Sequence, residues 1–74
     1  MEYFFADIVK VVGEISGEEP EVESAEEYHW RAWRIKTSKF SLIVYDCGNG
    51  WAQPLFVETK DTKDLMKEIL SRLG

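Results

Sequence analysis

The chain has 74 residues, of which 45% are hydrophobic and 31% are charged. This length allows one domain with a modest core, because so short a chain buries only about 60% of its unfolded surface. Cys47 is the single cysteine, which excludes an internal disulfide framework. We find no signal-peptide pattern and no apolar run near the ~20 residues that span a bilayer. We therefore expect no membrane association and a reducing compartment, the cytoplasm of a cell or of an infected host.

The net charge of −5 is unevenly distributed along the chain. Residues 1–27 contain nine acidic side chains and one base, Lys10, which gives −8. Residues 28–74 contain eight bases and five acids, which gives +3. Binding to a nucleic-acid duplex needs Lys and Arg to replace phosphate counterions, so the acidic balance argues against it. A local basic surface on the C-terminal part stays compatible with the composition.

The first predicted element is a helix from Tyr3 to Ser16. Gly17 suits the left-handed position that follows a helix, and Pro20 opposes continuation. Gly13 interrupts the helix at a cost of ~1 kcal/mol relative to Ala, which indicates fraying or the close approach of another backbone. The apolar residues recur with the spacing of one helix face and are Phe4, Ile8, Val11, Val12 and Ile15.

Residues 18–27, with the sequence EEPEVESAEE, are predicted to form an acidic connecting segment, although Glu21–Ser24 is compatible with a short edge strand. One interpretation of the acids is a solvated loop. Another is an acidic patch that occupies a basic groove on a partner. Calcium binding is disfavoured, because the Asp/Asn/Gly ladder of an EF-hand loop is missing. The candidate partner-binding residues of this segment are Glu18, Glu19, Glu21, Glu23, Glu26 and Glu27.

Three strands are predicted at Tyr28 to Lys36, Phe40 to Cys47 and Trp51 to Glu58, where β-branched and aromatic residues are frequent. Asn49-Gly50 separates the last two strands and is the strongest short-range hairpin signal, because both turn positions require positive φ. A two-residue loop there places Val44 opposite Leu55, Leu42 opposite Val57 and Phe40 opposite Thr59.

The turn before this hairpin contains Thr37-Ser38-Lys39 and sets no register by itself. If Ser38-Lys39 form a two-residue turn, Ile35 lies opposite Leu42 and Trp33 lies opposite Val44. Paired residues share a sheet face because side chains alternate along a strand. The two turns thus predict one apolar face as the bed for the helices, formed by Trp33, Ile35, Phe40, Leu42, Val44, Leu55 and Val57.

The last predicted element is a helix from Thr62 to Leu73, with Asp61 as the expected N-cap. Leu65, Ile69 and Leu73 form its core stripe, with Met66 and Leu70 alongside. The element order is α-β-β-β-α. We expect one α+β domain over residues 1–74, with a three-stranded antiparallel meander sheet and both helices packed on one face.

The opposite sheet face is predicted to be open, because two short helices cannot cover both sides of the sheet. Open faces are mostly polar, yet this one carries Trp30, Ile43, Tyr45, Pro54 and Phe56, beside Arg34 and Lys36. Three interpretations stay open. The acidic segment crosses this face or strand parity slips at the 37–39 turn; the face contacts another protein or a second copy; or it binds single-stranded nucleic acid by stacking bases on aromatic rings.

Single residues offer little support for chemistry. His29 is the only histidine, and the predicted register places it opposite Gly48, next to Cys47 but on the other face. A Cys-His nucleophile pair needs hydrogen-bond contact and an orienting group, so this geometry disfavours it. A zinc site needs more nitrogen or sulfur ligands than these two residues supply. We predict no catalytic site, no metal site and no cofactor.

The order α-β-β-β-α is similar to that of double-stranded RNA-binding domains. Those domains have a Lys-rich start to the last helix and a Gly-Pro loop between the first two strands. The corresponding stretches here are Asp61-Thr62-Lys63-Asp64-Leu65 and Ile35-Lys36-Thr37-Ser38-Lys39, so the resemblance implies a topology and no RNA-binding residues. In size and charge the chain is also similar to small acidic phage-encoded inhibitors, some anti-CRISPR proteins among them.

These features favour a small acidic, non-enzymatic protein-interaction module. We expect a regulator or inhibitor of a nucleic-acid-binding protein that acts through the acidic segment and the aromatic open face. Its partner would be another protein or a second copy of the chain. The alternative is single-stranded nucleic-acid binding by Trp30, Tyr45 and Phe56, with Arg34 and Lys36 holding the phosphate backbone.

Overall fold

A computed structural model of the protein describes residues 1–58 and 64–74. The fold is α+β, as predicted, but the sheet has five strands rather than three. All neighbouring strands are antiparallel, in the order β1-β5-β4-β3-β2. The elements are β1 Tyr3–Phe4, α1 Phe5–Ser16, β2 Glu21–Ser24, β3 Ala32–Lys36, β4 Ser41–Gly48, β5 Trp51–Glu58 and α2 Leu65–Leu73.

Both additional strands lie at the edges of the predicted three-stranded sheet. Tyr3 and Phe4, predicted as the start of the first helix, pair with the first residues of β5. The amide of Phe5 then donates to the carbonyl of Gly50 at 2.7 Å, which places the start of α1 against the hairpin turn. β2 pairs with β3 over its full length and forms the other edge, as the sequence of Glu21–Ser24 allowed.

Helix α1 spans the length of the sheet. Its N-terminus lies at the hairpin turn, and at its C-terminus the ammonium of Lys39 donates to the carbonyl of Ser16 at 2.8 Å. Gly17 has φ 74° and donates to Gly13, as expected of a left-handed helix end. A Cβ on Gly13 would lie 3.2 Å from the carbonyl oxygen of Glu18, so close backbone approach accounts for glycine inside the helix.

The predicted register of β3 with β4 is confirmed. Ile35 lies opposite Leu42 and Trp33 opposite Val44. The turn lacks Gly and Asn, and the side chain of Thr37 stabilises it instead. Its hydroxyl accepts from the amides of Phe40 and Lys39, at 3.1 and 3.2 Å, and donates to the carbonyl of Phe40 at 2.8 Å. A hydroxyl that replaces backbone contacts in this way is a known turn former.

The hairpin register is correct for only part of its length. Asn49 and Gly50 have φ 56° and 85°, as the predicted turn requires, and Leu42 lies opposite Val57. Val44, however, pairs with Pro54 rather than Leu55. The predicted pairing of Phe40 with Thr59 lies outside the described residues.

A β-bulge causes this shift. Ile43 pairs with Phe56 and Val44 with Pro54, so Leu55 is an extra residue on β5. A bulge places two residues opposite one and reverses the faces of the residues beyond it. Ala52, which the unbulged register would place on the open face, therefore lies in the core at 1% exposure, and Leu55, predicted in the core, is 42% exposed. Pro54 is suited to this position because it has no amide to donate to the ladder.

The main core lies between the helices and one face of the sheet, which we call the helix face. Fully buried members from three elements are Ile8 of α1, Leu42 of β4 and Ile69 of α2. Helix α2 begins at Leu65, after Asp64, which makes no side-chain capping bond. The predicted start at Thr62 and the predicted cap Asp61 lie outside the described residues. The whole buried set is Ile8, Val11, Val12, Ile35, Phe40, Leu42, Val44, Ala52 and Ile69.

The structure makes opposite predictions for two residues of similar size. Ile43→Ala should lower the free energy of unfolding by about 2–5 kcal/mol, because Ile43 is 0% exposed and its removal leaves a cavity. Leu55→Ala should cost about 1 kcal/mol or less, because Leu55 is 42% exposed. Urea denaturation of both variants measures the difference. A larger loss of unfolding free energy for Leu55→Ala than for Ile43→Ala would contradict the bulge and support the unbulged register.

Candidate interaction surfaces

The sheet face opposite the helices is partly covered by residues 25–31, which we call the covering loop; the face itself is the loop face. Ala25 is 0% exposed and packs with Ala32 and Ile43 in a second, small apolar cluster. The loop is closed by hydrogen bonds from the Ala25 amide to Ala32 at 2.9 Å and from the Tyr28 amide to Ala25 at 3.0 Å. Ile43, predicted as an exposed contact residue, is therefore buried, and the interpretation that the acidic segment crosses this face is correct at Ala25.

Arg34 binds three carboxylates on the loop face. Its guanidinium donates to Glu58 through Nε at 2.7 Å and through Nη2 at 3.1 Å, a two-pronged geometry that strengthens the pair. It also donates to Glu23 at 2.9 Å and to Glu27. The Arg34 side chain is only 12% exposed, and a charge so far removed from water requires partners. The predicted partner-binding residue Arg34 is thus an internal link between β2, β3, β5 and the covering loop.

The charges of this cluster shift its pKa values in consistent directions. Hydrogen bonds from Arg34 lower the pKa of Glu58 and of Glu27, and those carboxylates raise the pKa of Arg34 well above its ordinary value. The Tyr28 hydroxyl donates to Glu58 at 2.6 Å, and this bond raises the pKa of Tyr28. At neutral pH Arg34, Glu27 and Glu58 therefore stay ionised and Tyr28 stays protonated, so these contacts hold the covering loop in place.

The six acids predicted as partner contacts divide into two groups. Glu23 and Glu27 bind Arg34, and Glu18 accepts from the amide of Ser38 at 2.9 Å and from its hydroxyl. Those two bonds lower the pKa of Glu18. The other group is Glu19, Glu21 and Glu26, which are exposed and whose side chains make no hydrogen bond or ion pair within residues 1–58 and 64–74.

Trp30 is the most exposed aromatic residue of the described chain, at 75%. It belongs to a surface cluster in which the Arg31 guanidinium lies 5.4 Å from the Trp30 ring and 5.6 Å from that of Tyr45. His29 stacks on Trp30 with ring centroids 5.7 Å apart. Phe56, on the same face, is 39% exposed, and the edge of the Tyr28 ring packs against it at 5.0 Å. Trp30 is thus the one member of the predicted aromatic set that stays largely uncovered.

Cys47 shows no sign of activation. It is the second unpaired residue of the hairpin, because Asp46 pairs with Ala52 and Gly48 with Trp51. Burial raises the pKa of its thiol, which reduces the thiolate needed for nucleophilic attack. Within the described ranges no cluster of His, Cys, Asp and Glu side chains is arranged to hold a metal ion.

An apolar groove of about 390 Å³, which the sequence did not predict, lies on the helix face at the hairpin end of the sheet. Its walls come from the start of α1 and from strands β2 to β5, and include Phe5, Val22, Trp33, Trp51 and Asp46. Trp33 was predicted in the core but is 37% exposed. Helices α1 and α2 lie closest to β5. On the far side of the helix face Val22 and Trp33 are therefore left 45% and 37% exposed.

Comparison with known protein families, with curated proteins and with solved structures finds no match to this chain. Of the two described helices, neither is long and apolar enough to cross a membrane.

The Arg34 cluster predicts an acid-sensitive fold. Because the folded pKa values of Glu27 and Glu58 lie below the ordinary 4.5, their stabilisation is complete above that pH and is lost as the pH falls through the folded values. The urea concentration at the midpoint of unfolding should therefore be lower at about pH 3.5 than at about pH 7. Arg34→Gln should lower the midpoint at pH 7 and reduce this dependence.

Arg72→Gln is the matched control, since it removes the exposed ion pair between Arg72 and Glu68 on α2. Exposed pairs contribute little to stability, so this variant should keep the acid sensitivity of the original chain. Equal pH dependence in Arg34→Gln and the original protein would contradict the role given to Arg34.

Proposed function

We propose that the protein is a non-enzymatic protein-interaction module that binds a basic surface of another protein. The partner class we favour is a nucleic-acid-binding protein, whose phosphate-binding surface is rich in Lys and Arg, and binding there would make the chain a regulator or inhibitor. The proposal rests on one observation, the division of the acidic segment. Glu19, Glu21 and Glu26 have no partner in the described chain, although Glu18, Glu23 and Glu27 do.

The position of the free acids supports this proposal. Glu21 lies on edge strand β2, and the other two acids lie just outside the ends of this strand. Val22 of the same strand is exposed on the other sheet face, where it lines the groove. Protein interfaces combine an apolar centre with a polar rim. Carboxylates along an edge strand, with an apolar groove on the opposite sheet face, suit a partner that offers both cations and apolar side chains. The same charges steer encounter with a basic surface, an effect that salt screens over about 10 Å at 0.1 M.

The second candidate function is single-stranded nucleic-acid binding on the loop face. The exposed Trp30 with Arg31 beside it favours this candidate. The electrostatics oppose it, because Arg34 is bound by three carboxylates and no longer offers a free cation to a phosphate. We therefore rank it second.

Charge reversal tests the leading proposal. The immobilised chain should retain a basic protein from an extract at low salt and release it at high salt. The triple variant Glu19→Lys, Glu21→Lys and Glu26→Lys should lose this protein, because it reverses the unpaired carboxylates. Retention is measured by mass spectrometry of the eluates.

A second triple variant is the control for net charge. Glu2→Lys, Asp7→Lys and Glu14→Lys change the charge by the same amount at exposed positions outside the acidic segment. This variant should retain the protein that the original chain retains. Retention of the same protein by both triple variants, or no specific retention by the original chain, would refute the proposal.

A fluorescence titration tests the second candidate. Single-stranded oligonucleotides at low salt should leave the emission of Trp30 unchanged, because the acidic side chains repel the phosphate backbone and Arg34 is already bound by carboxylates. The Trp30 signal is the difference between the original chain and Trp30→Phe. A saturable quench that disappears in Trp30→Phe would move nucleic-acid binding to first place.

A further inference from the structure

β2 is an outer strand with an open backbone edge. The amide of Ala25 donates to the carbonyl of Ala32 in β3. Inward and outward backbone groups alternate along an antiparallel strand. Glu21 and Glu23 therefore direct their backbone groups at β3, whereas the N–H and C=O groups of Val22 and Ser24 point away from the sheet. Those outward groups have no protein partner among residues 1–58 and 64–74, and all four residues of β2 are exposed.

The two faces of β2 have different chemistry. Val22 and Ser24 pair with Ile35 and Trp33, so their side chains lie on the helix face, where Val22 lines the groove. Glu21 and Glu23 lie on the loop face. A strand added beside β2 would lie about 4.8 Å away, with its side chains alternating in the same manner. The side chains on one face of the added strand would extend over Val22 toward the groove, and those on its other face would lie beside the carboxylates of Glu21 and Glu23.

We infer that β2 is the docking edge for an extended segment of another protein in which cationic and apolar residues alternate. The segment adds to the sheet as a further strand, with its backbone bonded to Val22 and Ser24. Its apolar side chains enter the groove at Val22 and Trp33, and its Lys or Arg side chains face Glu21 and Glu23. Strand addition of this kind takes affinity from backbone bonds and specificity from alternate side chains. This inference rests on the proposed function and specifies its partner.

A second copy of the chain is a poorer occupant of the same edge. Antiparallel pairing of β2 with β2 of another molecule would place the same surface on both sides of a two-fold axis. Glu21 and Glu23 of one copy would then face the same residues of the other, and like charges opposite each other destabilise a strand pair. A cationic segment removes this repulsion.

A synthetic peptide of alternating Lys and Val is the probe, and a peptide of alternating Glu and Val is its control. Titration of the isotope-labelled protein should show saturable binding of the Lys-Val peptide only. Hydrogen exchange should slow at the amides of Val22 and Ser24, which gain acceptors, and should stay unchanged at inward amides. Equal binding of both peptides, or unchanged exchange at these two amides, would overturn the inference without any variant.

Ser24→Pro removes the outward N–H and no bond of the existing ladder, a position where edge strands tolerate proline. It should weaken peptide binding by up to about tenfold, the effect of one lost hydrogen bond. Ser24→Ala, which keeps the N–H, should bind like the original chain. Equal affinity in the three proteins would exclude backbone pairing. If hydrogen exchange at the amides of Val22 and Ser24 is already slow in concentrated protein without peptide, a second copy of the chain occupies this edge and the inference is overturned.

The same variants test strand addition separately from the proposed function on which it rests. The charge reversal of Glu19, Glu21 and Glu26 could abolish retention of the protein from the extract while Ser24→Pro leaves its retention unchanged. This result would support the proposed interaction module and refute strand addition. If the original chain retains no protein specifically, the proposed function itself fails.

Discussion

Arg34 is the residue on which the loop face depends. Its guanidinium lies largely out of water and is stabilised by Glu23, Glu27 and Glu58, which belong to separate parts of the chain. Removing one member of such a cluster leaves an uncompensated charge, so the partners hold one another in place. Because Glu27 belongs to the covering loop, the same contacts keep Ala25 over Ile43 and close a surface that would otherwise be apolar and open.

A second constraint is the bulge at Leu55. It moves Ala52 into the core and Leu55 out of it, and so changes which side chains the helices must cover. With α1 and α2 near β5, the small Ala52 fits beneath them, while Trp33 on the far side of the helix face stays partly exposed. The groove is therefore a consequence of how a short pair of helices lies on a sheet wider than they can cover.

These two constraints together locate the surface on which the proposed function rests. Arg34 neutralises part of the acidic segment and closes the loop face, which leaves the carboxylates in and beside β2 that have no partner in the described part of the chain. The groove opens beneath the same strand on the other face. An edge strand is normally protected from pairing with other chains, often by charge. Here the charge has one sign, which discourages self-association and admits a segment of the opposite sign.

The sequence by itself determined the features that depend on neighbouring residues. The periodicity of α1, the glycine after its end and the Asn49-Gly50 turn follow from local geometry, and all are present. The β3–β4 register was predicted on the assumption of a two-residue turn at Ser38-Lys39, and it is present as well. The α+β class follows from their order. Five of the seven residues predicted as the helix bed, all except Trp33 and Leu55, are buried in or packed against the core.

Tertiary structure decided the rest, because it depends on contacts between distant residues. Near Leu55 only the neighbouring Pro54 is a local sign of a bulge. The two-residue strand Tyr3–Phe4 forms because it pairs with the edge of β5. The three carboxylates of Arg34 are up to 24 residues away along the chain. Of the predicted partner residues, Ile43 and Arg34 became internal, while the side chains of Glu19, Glu21 and Glu26 have no partner among residues 1–58 and 64–74. The charged and apolar side chains can be counted in the sequence, but only packing determines which of them contact one another and which stay exposed.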